Sequence, residues 1–349
     1  MSGCGQLTAP PRTAAWQRRP RLSRARKGHA SLLCAMTVLA GLMPMPSRAQ
    51  AYPVKPVRYI VPFPAAASPD IVARLLAERL GRAWGQQVVV DNRSGAGGTL
   101  GAAYAAKAPA DGYTLFQCNI ASSAIATSLY AKMPYDHQRD FAPITRIGLT
   151  PNVVVVHPSL PARSMQEFIA YARTNPGKLS YGTSAAGTSS QLTMELLKLT
   201  AKIDVVHVAY KGAPQALSDT VGGQIPASVQ TAPAVMPTIL SGRVRALGVT
   251  SLKRIAQLPE VPTLHETALP GFEANSWYGL CAPTATPAPV LDKINADLTT
   301  VLRSPEIQRR FVDLVILAAP TSRDEFTRFI AAETTRWARV IKGAGIALQ

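Results

Sequence analysis

From residue 57 onward the chain switches repeatedly between short, continuously apolar runs and stretches of helical spacing. Residues 57–63, 87–91 and 113–117 read as buried strands, and segments of helical period follow each: 71–84, 98–107 and 122–130. Strand and helix in strict alternation predict an α/β fold with a mainly parallel sheet flanked by helices. After Asn152 the wholly apolar run 153–156 predicts another strand, and Ser164-Met165-Gln166-Glu167 predicts a capping box opening a helix to Thr174. The alternation then restarts, with strands near 179–182, 205–209, 226–230 and 245–249. Residues 276–281 form one more apolar run, followed by a helix from Pro287 to Arg303 and another opening at Ser304-Pro305-Glu306. Ser322-Arg323-Asp324-Glu325 opens a last amphipathic helix with Phe326, Phe329, Ile330, Trp337 and Ile341 on its apolar face.

This restart predicts two α/β domains, 52–152 with 277–349 and 153–276, joined near 153–156 and again near 276–281. Such a length exceeds what one core usually organises. A cleft between the domains follows, and in sheets of this kind ligands bind beyond the carboxyl ends of the strands.

Residues 1–51 do not fit the alternation. Arg18, Arg19, Arg21, Arg24, Arg26 and Lys27 precede an apolar run at 30–43, and Ser47-Arg48-Ala49-Gln50-Ala51 ends small-x-small. This is a secretory signal pattern with cleavage after Ala51, which implies export. Pro44 and Pro46 stop the run short of the roughly 20 residues a membrane span needs. Removing the segment leaves 29 basic against 20 acidic residues, a net charge of +9 instead of +17. The surplus is scattered, without basic runs interleaved with aromatics, so nucleic acid is a poor partner and anionic ligands a better one. Only Cys118 and Cys281 remain, either as one bridge or as two buried thiols.

Two loops carry the candidate chemistry. In the first, Ser68 reads as the N-cap and Pro69 as the first position of a helix whose free N–H groups face the Pro/Ala loop 62–67, a receptor for carboxylate or phosphate. In the second, residues 182–190 leave a strand and enter a helix, offering five hydroxyls and a run of backbone N–H groups. A hydrolase reading fails on spacing, because Ser184 is followed by Ala185-Ala186 and the nucleophile elbow needs Gly two residues on. Gly95-Ala96-Gly97-Gly98 lacks the dinucleotide fingerprint and reads as a helix start. His137, His157, His207 and His265 are isolated, without metal-ligand spacing, so no metal or cofactor is expected.

Several motifs resemble the Bug family of periplasmic solute-binding proteins, which serve tripartite tricarboxylate transporters. They are Tyr52-Pro53 through Phe63-Pro64, Val90-Asp91-Asn92-Arg93 with Gly95-Ala96-Gly97-Gly98, Asp111-Gly112-Tyr113-Thr114-Leu115, His207-Val208-Ala209-Tyr210-Lys211-Gly212, Arg245-Ala246-Leu247 with Val249-Thr250, and Leu258-Pro259-Glu260-Val261-Pro262-Thr263. The resemblance implies a two-domain, Venus-flytrap protein that closes on a small carboxylate and then docks on membrane permease subunits. It places the ligand carboxylate between the first loop, with Pro64, Ala65, Ala66, Ser68 and Asp70, and the second, with Thr183, Ser184, Gly187, Thr188 and Ser189. It adds Asn119 and Ser122 after the third strand, and Tyr210, Lys211, Thr231 and Trp277 on the far wall. Two departures stand out. Family members usually carry glycines where this chain has Ala65-Ala66-Ala67, and the added Cβ atoms restrict the loop. Many carry Asp at Thr231; its absence here implies a plain carboxylate and not an amino acid. The alternatives in function are a ligand sensor signalling to a membrane kinase and a secreted hydrolase. A monomer is the default for the architecture.

Overall fold

The computed structural model describes residues 52–346, and the signal-like segment 1–51 lies outside it. Ten strands run in chain order as β1 (Val57–Val61), β2 (Val88–Asn92), β3 (Thr114–Phe116), β4 (Phe141–Val156), β5 (Ser180–Thr183), β6 (Val206–Ala209), β7 (Ala227–Thr231), β8 (Arg245–Val249), β9 (Asn275–Pro283) and β10 (Leu317–Ala318). The helices of eight residues or more are α1 (Ser68–Trp84), α2 (Thr99–Ala106), α3 (Met165–Thr174), α4 (Ser189–Ala201), α5 (Ala213–Val221), α6 (Ala232–Leu240), α7 (Ala288–Arg303), α8 (Pro305–Asp313) and α9 (Arg323–Gly343). No described helix is long and apolar enough to cross a membrane.

The strand order is β2-β1-β3-β9-β4-β7-β5-β6, with β8 and β10 also pairing with β4. The outer strands are parallel, as the alternation predicts: β1 with β2 and β3, β5 with β6 and β7. The two central strands, β4 and β9, run antiparallel to each other and to their neighbours, so the sheet is mixed. Strand β4 begins at Phe141, twelve residues before the run that sequence alone marks, and is 16 residues long. Its first part, to Pro151, pairs with β9, and from Asn152 it pairs with β7 and β8. Pro143, Gly148 and Pro151 hide the first part, because such residues argue against a strand unless bulges accommodate them. Register shifts at Pro143/Thr145 and Arg146/Gly148 accommodate the first two, and Pro151 falls where the pairing passes from β9 to β7. One strand thus belongs to both halves of the sheet.

Helices cover both faces. One buried cluster joins Val57, Tyr59 and Val61 of β1 to Val72, Leu76 and Leu80 of α1 and Leu291, Ile294 and Leu298 of α7. A larger one joins Val154, Val229 and Tyr181 to Leu192 and Leu197 of α4 and Phe326, Ile330 and Trp337 of α9. Gly279 of β9 is forced by this packing, since a Cβ there would collide with the Phe326 ring. Cys118 and Cys281 form a disulfide with Cα atoms 5.9 Å apart, tying the end of β3 to β9. The two alternatives open in sequence resolve to the bridge.

Helix starts show where side-chain spacing is a sound guide. Ser322 caps α9 in a reciprocal box with Glu325, and Ser304 caps α8. Ser164 caps α3 by accepting the Glu167 N–H, but the Glu167 carboxylate reaches one residue further back, to the Arg163 N–H at 2.7 Å, so the box is not reciprocal. At α1 the N-cap position falls on Ala67, and Ser68 is already helical. The Ala67 carbonyl accepts the first helical bonds, from the N–H groups of Asp70 and Ile71 at 2.9 and 3.1 Å. Ser122 lies in a π-helical turn, Ala121–Ile125, ahead of the α-helical turn Ala126–Leu129.

Candidate solute-binding cleft

A cleft of about 1190 Å³ opens where strands end. Loops after β1, β2, β3, β5, β6 and β7 all line it, each at the carboxyl end of its strand. Strands β1, β2 and β3 form one parallel set and β5, β6 and β7 another running the opposite way, so the carboxyl ends of the two sets meet at the cleft.

The first loop contributes Pro64, Ala65, Ala66, Ala67, Ser68 and Pro69. Ala66 holds φ at 64°, the left-handed region that glycine adopts freely and alanine does not. What holds it there is Asp70, which is 2 % exposed. Its Oδ2 accepts the Ala66 N–H at 2.8 Å and Arg74 Nε at 2.9 Å, and its Oδ1 accepts Asn92 Nδ2 at 2.9 Å. Burial pushes the carboxyl pKa up, but the hydrogen bonds from Arg74, Asn92 and Ala66 outweigh it and hold the group below the ordinary carboxylate range. Asp70 therefore belongs behind the loop as its buckle, with both oxygens engaged, and does not line the cleft.

The second loop contributes Ser184, Thr188 and Ser189, together with Ala185 and Ser190. Thr183 and Thr188 hydroxyls both donate to the Ala185 carbonyl, at 3.1 and 2.8 Å, and the Gln191 side chain accepts the Gly187 N–H at 2.7 Å. These bonds fold the loop on itself. Thr183 is fully buried against His207 Nε2 at 2.7 Å, and burial pushes that imidazole down to about 4, so it is neutral at pH 7. Gly187 packs against Leu129 at φ 73° and also stays behind the rim. His207 is thus a support for Thr183.

Asn119 lines the cleft, and its Oδ1 accepts the N–H groups of Ala121 and Ser122 at 2.9 and 3.2 Å. Ser122 is buried behind it, its Oγ accepting Asn119 Nδ2 at 3.0 Å. On the far wall Lys211 and Thr231 line the cleft, whereas the Tyr210 ring lies against Gly182. Trp277 is not on the wall at all. It is fully buried, donates through Nε1 to Glu333 at 3.1 Å and meets Phe326 and Phe329 edge-on. The reason is the two-residue alternation of β9: Ser276 and Tyr278 face the cleft, so Trp277 faces the helix behind.

Sequence reasoning passed over Ser94 and the glycine loop 95–98, which line the cleft after β2. The signal that finds them is topological: they occupy the carboxyl end of a parallel strand, as the other loops do. A Cβ on Gly97 would stand 3.7 Å from the Ala186 carbonyl oxygen, so the glycine loop and the second loop meet there. Arg243, Leu217 and Val221 were also not anticipated. Lys211 and Arg243 are the charged side chains of the lining, and no acidic side chain joins them among the described residues. No cluster of metal-ligating side chains occurs among the described residues either.

A mixed sheet with helices on both faces and a cleft at the strand ends is the α/β architecture of periplasmic binding proteins. Two solved structures share the fold closely. R. palustris Rpa4515 with adipate is 36% identical with a TM-score of 0.80, over 85% of this chain and 100% of that one. The periplasmic binding protein BugD is 33% identical with a TM-score of 0.77, again over 85% and 100%. Among curated relatives, a UPF0065 protein from the tcbD-tcbE intergenic region of Pseudomonas sp. strain P51 is 38% identical, covering 84% of this chain and 88% of its own length. Protein BugT of Bordetella pertussis is 35% identical over 87% and 94%. The model of the tripartite tricarboxylate transporter family receptor matches residues 72–346, and the chain belongs to that family.

Proposed function

We propose that the protein captures a small carboxylate in this cleft and delivers it to the permease subunits of a tripartite tricarboxylate-type transporter. The observation that carries the reading is the lining itself: helix starts without side-chain caps, two cations and no carboxylate. The absence of an acidic group also favours a plain carboxylate over an amino acid, whose ammonium would find no counter-charge. Pro64, Ala65, Ala66, Ser68, Asn119, Ser184, Thr188, Ser189, Lys211 and Thr231 are the ligand-facing residues in this reading. Asp70, Ser122, Thr183, Gly187, Tyr210 and Trp277 hold them in place. Closure would bring domain 52–152 with 277–349 onto domain 153–276, turning about β4 at Pro151-Asn152 and the start of β9. The bound solute then stabilises the closed form that the permease recognises. The leader ends after Ala51 in this reading, and the mature protein acts in the periplasm as a monomer.

A thermal-melt screen of the mature protein, unfolded and refolded to strip carried solute, tests it. A carboxylate at a thousand times its Kd adds about 4 kcal/mol of stability. A shift with one carboxylate class, absent with the matching amino acid, supports the reading; a larger shift with the amino acid overturns the plain-carboxylate choice. Uptake of that solute lost on deletion of the gene supports the transport role, and uptake unchanged removes it.

A further inference from the structure

Strands β4 and β9 run side by side through the middle of the sheet and part at one point. Their ladder ends at the pair Pro151 and Asn275, after which β4 turns to β7 and β8. Pro151 has no N–H to give, and the next residue supplies a link from its side chain. Asn152 Nδ2 donates to the Ala274 carbonyl at 3.0 Å and to the Thr193 hydroxyl at 2.9 Å. Thr250 closes the cluster: its hydroxyl accepts the Asn152 N–H at 2.9 Å and donates to the same Ala274 carbonyl at 2.8 Å. Asn152, Thr193 and Thr250 are fully buried. Asn152 Oδ1 has no partner among the described residues, so a stranded acceptor is tolerated for the sake of the two donated bonds. Packing alone does not ask for this, since an apolar side chain of similar size fills such a site without an orphaned oxygen.

Thr193 carries the cluster beyond the strands. It lies in the second turn of α4, four residues after Ser189, so the two share a helix face. Ser189 lines the cleft with Thr188 and Ser190. The Asn152 amide thus stands one helical turn beneath the second loop, at the parting of the two strands. We infer that Asn152 is a positioning residue that yokes α4, and the second loop on it, to β4 and β9, so that loop and strands turn as one piece. The inference rests on the closure described in the proposed function and adds the part that carries the strands' turn to the cleft. Three hydrogen-bonded side chains in a dry site form a contiguous network of the kind that transmits such a coupling.

Hydrogen exchange of the mature protein, with no solute added, tests this and is independent of whether any carboxylate binds. Asn152→Leu, of similar volume, removes both donated bonds. Amides of residues 184–194 should then exchange about tenfold or more faster, while those of α7 stay within about twofold. Thr193→Val should loosen the same segment, and Thr193→Ser, which keeps the hydroxyl, should restore it; this pair carries the test if Asn152→Leu does not fold. Unchanged exchange at 184–194 overturns the inference. So does an equal rise in every segment, which would make the cluster a core contact and no more, and so does Thr193→Ser behaving as Thr193→Val.

Discussion

Helices that begin at the cleft and helices that begin elsewhere are built to different rules. At α1, α2, α4, α5 and α6 the cap positions are Ala67, Gly98, Thr188, Gly212 and Thr231, and none supplies a side-chain cap. Away from the cleft, Ser164, Ser304 and Ser322 cap α3, α8 and α9, and Asp136 and Thr263 cap two short helices. Helix α7, starting after Pro287, is the outer exception. An unmade cap costs about 1 kcal/mol, so five omissions around one cleft are a sizeable concession of stability. In the proposed function, what they preserve is a ring of backbone donors for a ligand anion. Thr188 and Thr231 make the point sharply, because both residue types can cap and neither does: the Thr188 hydroxyl donates to the Ala185 carbonyl instead.

The most severe way to break the contrast is to install a cap inside the cleft. Ala67→Asp places a carboxylate at an N-cap with extended geometry, φ −70° and ψ 157°. It should raise stability by about 1 kcal/mol in urea melts. Carboxylate affinity should fall by about 100-fold or more in titration calorimetry, since two like charges at 4 Å repel by about 4 kcal/mol at an effective dielectric of 20. Stability and affinity moving in opposite directions is the signature; affinity unchanged would mean that α1 does not face the ligand.

Next in size is Asp70→Asn, which keeps the shape of the buckle and removes its charge. The charged hydrogen bonds to Ala66 and Arg74 should weaken, lowering stability by about 2 kcal/mol. Affinity should drop with it, because the Ala66 bond sets the first loop. The sign of the pH effect follows from the lowered carboxyl pKa. The stabilisation is present above the ordinary carboxylate range and is lost as pH falls through the lowered value. Glu266 and Glu325 share that sign: the N–H groups of Thr263 and Ser322 chiefly hold their carboxyls down, with Arg254 adding to the first. Acid should therefore undo both the outer capping boxes and the α1 buckle. Fluorescence melts of Glu325→Gln between pH 3 and 5 should show a flatter acid limb than wild type, and an identical limb would remove the box from the acid response.

A smaller effect separates the two kinds of helix start from the other side. Ser322→Ala removes an outer cap and should cost about 1 kcal/mol. Carboxylate affinity should not change, since Ser322 does not line the cleft. A matching loss of affinity would show that the α9 start and the cleft are coupled.

The contrast also explains what could be read from the sequence. Strands β1, β2, β5, β6, β7 and β8 and the caps Ser304 and Ser322 were legible because hydrophobic period and cap chemistry are local signals. The capless starts left no such signal: Ser68 looked like a cap because it precedes Pro69, but the cap position lies one residue earlier, at an alanine. The first part of β4 was hidden by Pro143 and Gly148, which sit at bulges, and by Pro151, where the pairing passes from β9 to β7. Trp277 was placed on the cleft wall by resemblance, and a single-residue step along β9 moves it to the core. The glycine loop 95–98 was set aside for lacking a nucleotide motif, when its position after a parallel strand was the relevant fact.

The smallest expected effect tests why an alanine stands at the sharpest point of the first loop. At φ 64° the Ala66 Cβ is strained by roughly 1–2 kcal/mol, whereas glycine there would cost about 0.5–1 kcal/mol more in unfolded-chain entropy. Ala66→Gly should therefore gain about 0.5 kcal/mol net in urea melts. If Asp70 holds the loop as the bonds indicate, affinity for carboxylates should change less than about twofold, because the Ala66 N–H stays bonded to the carboxylate in either case. A large gain in affinity would show instead that the alanines restrain the loop away from its binding geometry. The cleft-side helix start would then be limited by its side chains and not by the supply of free donors.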